Sequence, residues 1–512
     1  MAKRVKIKSK KEFALKKKNK FEKEYTHLTN RILIPSSIKN YIDGIVEIEP
    51  PNFKLKFKIE WFYYIVNTIL RKQNSYSNKE LENASITLNA KIMRSWVSNC
   101  NEYMDWLIEK DVIELTDNHS AGHSSRKYRF SEFIMGLLKK DLEIIVTELE
   151  NLNSGNVILE KSIQESSVYA ENEHLLKWFN DKLVIDFEGA KNYIQDVIFY
   201  ESEYFDLKFK KVHWNYQILA LHHKVFYATR NEESDFRLHT VLTSLKKLFK
   251  PFVTYGGREI IGYDLKNSQP FFLVFLIESI MNNNSKIDNI LSRTYNKSYY
   301  NSYMLQKITQ TICSKEFQDE YEVFRFWVLD GRIYENMTEI IAPDKHLRKY
   351  CNYKYDERLN YKIREIHYSL RNMMKGVFFT LLFCGVKTKD KHYHTFKRAF
   401  PNLVGLIEIF KMKKNSDFSK LLQNIESECI IDFVTKKIAE QYPEMPLFTI
   451  HDSVSTTVEY GEVLKTLMPY YISQFTGLTP KIEEEKWKKH DYQVDYKKRV
   501  ELHPEWYAYN GF

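Results

Sequence analysis

The sequence predicts a mainly helical α+β protein built from several domains. Helical apolar patterns alternate with short strand-like runs, above all beyond the polar breaker Asn282–Ser285. A chain of 512 residues can form one large core or two to three smaller ones. Gly and Pro are few (15 and 12) and Tyr and Phe are many (35 and 33), a composition typical of well-packed globular domains.

The first 24 residues predict a flexible basic arm. Lys and Arg cluster there among few acidic or apolar residues, which favours a solvated tail or a segment that contacts phosphates, and these two interpretations are compatible. Over the whole chain 77 basic residues stand against 67 acidic ones, a formal charge of +10. This excess favours a polyanionic partner.

Cysteine spacing and the apolar stretches predict a cytoplasmic protein with reduced thiols and no membrane partner. The five cysteines form no C-x-x-C pair and show no zinc-finger spacing. The chain starts with charged residues rather than a signal peptide. Its longest apolar stretches, Phe271–Ile277 and Gly376–Val386, are shorter than the ~20 residues of a membrane span.

Residues 50–135 predict a winged helix-turn-helix. Helical patterns come first, with the longest expected over Leu88–Ile108, and Val112–Leu115 and Lys127–Phe130 are expected to form the wing hairpin. A winged helix binds DNA or another protein, and DNA is the favoured partner here. The wing cations expected near DNA are Arg126, Lys127 and Arg129.

Two short apolar runs end in aspartate, Ile260–Asp264 and Leu447–Asp452, and each predicts a strand with a carboxylate at its end. Taken singly, each aspartate is more often a turn former or a helix cap. A converging pair suits two Mg²⁺ ions roughly 3.5–4 Å apart, which stabilise the entering and leaving oxygens of phosphoryl transfer.

A third pattern lies between the two aspartates, in a predicted helix over Arg371–Phe383. Cations and aromatics recur there every four residues, so they share one helix face. Such a face can hold a triphosphate with its cations and a sugar and base with its aromatics, or the aromatics can belong to a core. The four positions are Arg371, Lys375, Phe379 and Phe383.

The order of these three patterns resembles motifs A, B and C of family-A DNA polymerases and phage-type single-subunit RNA polymerases. The resemblance covers about residues 235–487, and the region before it is similar to N-terminal domains of plasmid and phage replication initiators. Four flanking segments resemble further elements of the polymerase families: Phe236–Thr240 (T-G-R-L-S), Leu329–Glu335 (G-x-D-I-Y), Gln423–Ser427 (Q-G-x-x-A) and Lys486–Trp487 (the closing strand).

The resemblance implies a right-hand polymerase preceded by the winged helix. Residues 140–232 are then a helical thumb-like connector, and residues 233–495 are the palm, with fingers inserted at about 285–400. Before Asp235, no D-x-E pair can be placed on a strand within a fold suited to a proofreading exonuclease. The expected activity is DNA-dependent DNA synthesis for a plasmid, phage or other mobile element, in the cytoplasm of a bacterial or phage-infected cell.

The resemblance also implies a role for each matching residue. The expected partners are a DNA template and primer, nucleoside triphosphates and two Mg²⁺ ions, for which Mn²⁺ can substitute. Asp264 and Asp452 would ligate the metals, Lys375 would act on the leaving pyrophosphate, and Arg371 would hold the γ-phosphate. Phe379 and Phe383 would contact the nucleotide, and Arg237, His451 and Gln423 would contact the primer-template.

Three departures from the family pattern leave the choice of sugar open. Gln269 stands where the DNA enzymes carry a Glu that excludes the 2′-hydroxyl and the RNA enzymes carry Gly, and its bulk favours deoxynucleotides. Phe383 stands where Tyr is usual, and Ser453 follows Asp452 as in the RNA enzymes. An RNA polymerase, a primase or a non-catalytic DNA-binding initiator are the alternatives.

Overall fold

The computed structural model divides the chain into two units. The N-terminal unit comprises residues 1–230, 239–260 and 487–492, and the C-terminal unit comprises 231–238, 261–486 and 493–512. The basic arm over residues 1–24 lies outside the described residues, and the predicted domain boundaries stay predictions. The structure describes residues 25–27, 31–73, 85–88, 93, 99–117, 126–140, 144–148, 167–201, 208–230, 235–295, 303–341, 351–356, 361–366, 370–487, 497 and 501.

The described part of the N-terminal unit combines helices with small sheets. Its sheets have the orders β1-β8-β9, β2-β6 and β3-β5-β4, and β7 and β10 pair beside the start of β11. The helices are α1 Ser36–Ile48, α2 Glu60–Gln73, α3 Cys100–Glu109, α4 Glu132–Lys140, α5 Ser167–Leu176, α6 Phe187–Glu201, α7 Lys208–His222 and α8 Val241–Ser244, with a 3₁₀ segment at Lys247–Phe252. The strands are β1 Tyr25–His27, β2 Arg31–Pro35, β3 Ile86–Thr87, β4 Ile113–Asp117, β5 Lys127–Phe130, β6 Ile144–Glu148, β7 Leu183–Ile185, β8 Tyr227–Thr229, β9 His239–Thr240, β10 Val253–Tyr255 and β11 Arg258–Leu265, which ends in the other unit.

The predicted wing hairpin forms, whereas the long helix predicted over Leu88–Ile108 is wrong at its start. β4 and β5 pair antiparallel with a bulge near Leu115. Leu88 follows β3, and its backbone N–H donates to the carbonyl of Arg126, extending the pairing of β3 with β5. Strand pairing therefore overrides the helical periodicity at Leu88, whereas Met93 is helical and helix α3 spans Cys100–Glu109. The winged-helix arrangement itself stays a prediction.

The described part of the C-terminal unit is mostly helical, which together with its short strands agrees with the predicted α+β class. Its helices are α9 Ser268–Met281, α10 Ser285–Thr294, α11 Leu305–Ile312, α12 Lys315–Leu329, α13 Ile333–Ile341, α14 Leu370–Phe383, α15 Lys391–Ala399, α16 Pro401–Phe410, α17 Ser416–Ser427, α18 Thr435–Gln441 and α19 Gly461–Thr476. A π-helical segment spans Glu428–Val434 and a 3₁₀ turn spans Val458–Tyr460. The strands are β12 Cys351–Asp356, β13 Tyr361–Ile366, β14 Phe448–Ile450, β15 Ser453–Thr457 and β16 Ile482–Lys486.

A small sheet carries both predicted aspartates. β14 and β15 form a hairpin, β15 lies beside β11, and β16 pairs antiparallel with β11 from Ile261 to Leu265. β16 forms where the resemblance places the closing strand. Gly262 occurs on β11 because a Cβ there would lie 2.8 Å from the Oγ of Ser455 on β15.

Helix α9 forms the centre of the unit's apolar core. Its run Phe271–Ile277 is buried at every position, and the helix packs against α10, α12 and α17. The helix begins four residues after Asp264, so the core helps to fix the position of that strand end. In the described ranges, no helix combines the length and the apolar character needed to cross a membrane.

Candidate active site

The hairpin of β14 and β15 presents His451 and Asp452 at its turn. Ile450 pairs with Ser453, so these two residues form the whole connection. Two-residue hairpin loops of this kind need a positive φ, for which glycine is usual. His451 takes that conformation with φ 57°, at a cost of about 1–3 kcal/mol that the surrounding structure must offset. The turn therefore holds Asp452 at a fixed, strained place beside β11.

Asp264 and Asp452 belong to one electrostatic cluster. The pKa of Asp452 is raised well above its usual value, first by burial, then by the charge of Glu426 and then by the charge of Asp264. Arg237 acts on the same pKa in the opposite direction. The two strand-end carboxylates that the sequence places nearly two hundred residues apart therefore lie within electrostatic reach of each other.

Glu426, on helix α17, is the centre of the hydrogen bonds in this cluster. Its side chain is 1% exposed. One carboxylate oxygen accepts from Nε and a second guanidinium nitrogen of Arg237, with the Nε bond at 2.7 Å. The other oxygen accepts from Ser268 Oγ and from Gln269 Nε2, each at 2.7 Å. A buried carboxylate with this many donors is held in one position.

Sequence reasoning missed Glu426. It named Gln423 on the same helix, which is half-buried, and passed over the acidic residue three positions later. A signal was present, because Glu426 follows the apolar positions Leu422 and Ile425 on a face that an amphipathic helix buries. A charge on such a face indicates a buried polar partner.

Helix α14 turns its cations and aromatics away from its core side. Arg371 and Phe379 are half-buried, Lys375 is exposed and Phe383 is 45% exposed. The expected face therefore exists, and the aromatics are not the buried side of this helix. The side chains that the helix buries are Met373, Met374, Val377, Phe378, Leu381 and Leu382.

The members of this face contact each other and the segment before it. The Nζ of Lys375 lies 5.8 Å from the ring centre of Phe379, whose ring is 6.0 Å from that of Phe383. The Nε of Arg371 lies 3.2 Å from the Oε1 of Glu335, and its guanidinium lies 5.3 Å from the ring centre of Tyr334.

Tyr334 connects the α14 face to the two aspartates. Burial raises the pKa of its phenol most, Arg371 lowers it and Asp452 raises it. Both charged groups therefore act on the same buried hydroxyl. The structure thus brings together Asp264, Asp452 and Arg237 in one cluster and links Arg371 to it, within one unit.

Two of the three expected wing cations pair with carboxylates of their own hairpin. Arg129 pairs with Glu114 at 2.7 Å, and Lys127 pairs with Asp117 at 3.0 Å. Arg126 is exposed. These three residues belong to the N-terminal unit, whereas the carboxylate cluster belongs to the C-terminal unit.

Strained backbone concentrates around the cluster. Six non-glycine residues in the described part of the chain have positive φ, and three of them directly precede a residue of the cluster. Such conformations persist at functional sites because the surrounding structure determines them. The three are Phe236 before Arg237, Asn267 before Ser268 and His451 before Asp452.

The donor set fits Mg²⁺. Mg²⁺ in nucleotide-processing sites is bound by one or two carboxylates together with water and substrate phosphates, rather than by a complete protein cage. Asp264 and Asp452 supply two hard oxygen ligands. The pKa of Asp452 is raised first by burial and then by the charges of Glu426 and Asp264, and a divalent cation would offset those charges. The described residues contain no group of three or more His, Cys, Asp or Glu at metal-binding spacing.

Comparison with known proteins adds one structural likeness. No protein-family model matches the chain, and no curated protein sequence matches it. Among solved structures the chain is similar to the POL domain of Pol1 from M. smegmatis in complex with DNA primer-template and dNTP, at 10% identity and a TM-score of 0.26. The match covers 65% of this chain and 73% of that one. A TM-score this low carries no argument, so the proposal below rests on the chain's own residues.

Proposed function

We propose that the chain catalyses template-directed nucleotidyl transfer and is a DNA-dependent DNA polymerase without a proofreading exonuclease. The observation that carries the proposal is the convergence of Asp264 and Asp452 in a strained cluster that Tyr334 links to Arg371 of helix α14. A scaffold protein has no use for two carboxylates held close enough for Asp264 to raise the pKa of Asp452, because like charges at this distance destabilise the fold.

Asp264 and Asp452 would hold two Mg²⁺ ions, with the remaining positions filled by water and phosphate oxygens. Bound there, the metals would supply charge stabilisation for the entering and leaving oxygens. The carboxylates themselves position this charge, and the left-handed turn at His451 keeps one of them in place.

The face of α14 would bind the nucleoside triphosphate. Arg371 would exchange Glu335 for the γ-phosphate, and Lys375 would neutralise the pyrophosphate. Phe379 and Phe383 would pack against sugar and base. In the reaction the primer 3′-oxygen bonds to the α-phosphorus, the bond to pyrophosphate breaks, and the hydroxyl proton passes to water.

The primer-template would lie along the same cluster. His451 at the hairpin turn and Gln423 on α17 would contact it, and Arg237 would reach a backbone phosphate with guanidinium donors that Glu426 leaves unused. The wing residues Arg126, Lys127 and Arg129 would contact duplex DNA at an origin of a plasmid, phage or other mobile element.

A second candidate is RNA synthesis, as a primase or RNA polymerase. The observation that favours it is Ser453, which follows Asp452 where the DNA enzymes carry a glutamate. Gln269, at the position expected to meet the sugar, is bulky enough to favour deoxynucleotides, so the two positions point in opposite directions. The choice of sugar distinguishes the two activities.

Extension of a labelled primer-template, and of an unprimed template, tests the proposal. Wild type is given Mg²⁺ with either dNTPs or rNTPs and compared with Asp452→Ala, and Asp432→Ala serves as control because Asp432 is a carboxylate on a helical segment that pairs with Lys436 four residues on. We expect extension that Asp452→Ala loses and the control keeps. Absence of extension under every combination, with duplex DNA still bound, would favour a non-catalytic initiator instead.

A further inference from the structure

Glu426 is a buried carboxylate for which the proposed chemistry has no direct use. It joins two segments that are distant in sequence, since Arg237 precedes β11 and Ser268 with Gln269 begins helix α9. Its side chain is 1% exposed. A carboxylate is tolerated in a buried position only where hydrogen-bond donors surround it. The burial of Glu426 therefore depends on the donors of this site and not on helix α17 alone.

Glu426 fixes the orientation of Gln269. Both oxygens of Glu426 act as hydrogen-bond acceptors, one from Arg237 and the other from Ser268 and Gln269. The amide of Gln269 must therefore point its nitrogen at Glu426, and its carbonyl oxygen must face the other way. That oxygen is buried and has no hydrogen-bond partner in the described part of the protein. With 8% of the residue exposed, the side chain has one orientation available.

Glu426 also fixes where α9 begins. Ser268 and Gln269 are the first two residues of that helix, and a negative charge beside a helix N-terminus is stabilising because it opposes the helix dipole. Asn267, at φ 55°, makes the left-handed turn that connects β11 to this helix. Glu426 therefore anchors the first two residues of the helix that follows Asp264.

We propose that Glu426 is a positioning residue for sugar selection. Its hydrogen bond fixes the side chain of Gln269 beside the sugar of the incoming nucleotide. The fixed position of Gln269 then determines whether ribose or deoxyribose is accepted. The inference rests on the proposed function, which places the sugar next to Gln269. Glu426 acts through Gln269 and touches neither the metal nor the substrate.

The test is a double-mutant cycle in the full chain that measures sugar selectivity. The ratio of kcat/KM for a dNTP to that for the matching rNTP is measured for wild type, Glu426→Gln, Gln269→Met and the double variant, all with one primer-template. Glu408→Gln is the control, because Glu408 is a half-buried carboxylate that likewise accepts from a cation, Lys397, at 2.7 Å. The same ratio is measured for binding, as dissociation constants of fluorescent deoxy- and ribonucleoside triphosphates.

We expect Glu426→Gln to move the ratio towards one by about three- to tenfold, the range that loss of one hydrogen bond produces. In the Gln269→Met background the same change should have no further effect, and Glu408→Gln should leave the ratio unchanged. Equal loss of rate for both sugars, additive effects, or a wild type without sugar preference would overturn the inference.

Failure of the proposed function has a separate signature. If wild type extends no primer, the polymerase assignment fails, and the binding ratio alone decides the role of Glu426. A change in that ratio on Glu426→Gln, suppressed by Gln269→Met, supports the inference. An unchanged ratio, or no binding of either nucleotide, overturns it.

Discussion

Arg237 donates a 2.7 Å hydrogen bond from Nε to Glu426, a residue 189 positions away in sequence. The guanidinium is 16% exposed and the carboxylate 1% exposed, so water screens this pair weakly. The sequence predicts Arg237 as a contact to template or primer, and the structure adds that the same residue keeps a buried carboxylate paired.

The ion pair predicts that replacing Arg237 lowers the free energy of unfolding and that a second change at Glu426 restores it. Arg237→Gln leaves Glu426 as a buried charge short of its cation, which should lower the free energy of unfolding by about 3–5 kcal/mol. The double variant Arg237→Gln with Glu426→Gln removes that charge and should recover most of the loss. Urea unfolding of the three proteins measures this, and a double variant no more stable than Arg237→Gln would refute the account.

The cluster also predicts a pH-dependent gain of stability in Asp452→Asn. The folded pKa of Asp452 lies above its unfolded value, so the folded state retains a proton that the unfolded state releases. Stability from this group is therefore present at low pH and is lost as pH rises through the folded pKa. In EDTA, Asp452→Asn should be more stable than wild type near pH 7 and nearly equal to it near the usual carboxyl pKa of ~4.

The measurement is urea unfolding across that pH range. Adding Mg²⁺ should stabilise wild type and leave Asp452→Asn unchanged, because a ligand that binds only the folded state raises the free energy of unfolding. A variant less stable than wild type at every pH would show that Asp452 is favourably solvated, contrary to the cluster described.

Gly262 predicts a steric coupling between β11 and β15. Its replacement by Ala places a methyl 2.8 Å from the Oγ of the fully buried Ser455, and overpacking of this kind costs about 1–3 kcal/mol. Ser455→Ala in the same chain removes the clash and should restore stability. Thermal unfolding checks this, with Gly405→Ala on helix α16 as control, since a Cβ there meets nothing within 4 Å. Equal effects of the two Gly→Ala changes would contradict the coupling.

Lys411 is expected to stabilise the C-terminal end of helix α14. The residue is 2% exposed, and its ammonium donates to the carbonyls of Leu381 and Cys384, the latter at 3.0 Å, where the helix ends. A cation there satisfies free carbonyls and opposes the helix dipole. Lys411→Met should lower the unfolding free energy by about 1–3 kcal/mol, and Lys411→Arg should lose less. Chemical denaturation measures both, and equal losses would show that only packing matters.

Local sequence pattern predicted several elements of the site correctly. β11 ends one residue after the expected aspartate, and α14 spans the expected residues with the expected face turned away from its buried side, because strand ends and four-residue spacing depend on neighbours in sequence. The pairing of Arg237 with Glu426 depends on residues far apart in the chain, so no local pattern encodes it. The same reason explains the misplaced helix start at Leu88, where a distant strand competes for the backbone.

Substitution of Lys375 tests whether the α14 face takes part in catalysis or only binds the nucleotide. If it neutralises the pyrophosphate, Lys375→Ala should lower kcat by on the order of 10²-fold with a smaller change in KM, because the interaction strengthens as the leaving group separates. Arg371→Ala should raise KM more than it lowers kcat. Steady-state primer extension with varied nucleotide concentration separates the two, and equal changes in KM alone for both variants would contradict the assignment.

Template-dictated addition of one nucleotide tests the central claim most directly. Four primer-templates that differ only in the first template base are each given one dNTP or one rNTP at a time with Mg²⁺, for wild type, Asp264→Asn and Asp452→Asn. The account predicts that wild type adds only the complementary nucleotide and that each Asp→Asn change lowers the rate by on the order of 10³-fold. Addition that ignores the template base, or that persists in both variants, would contradict it.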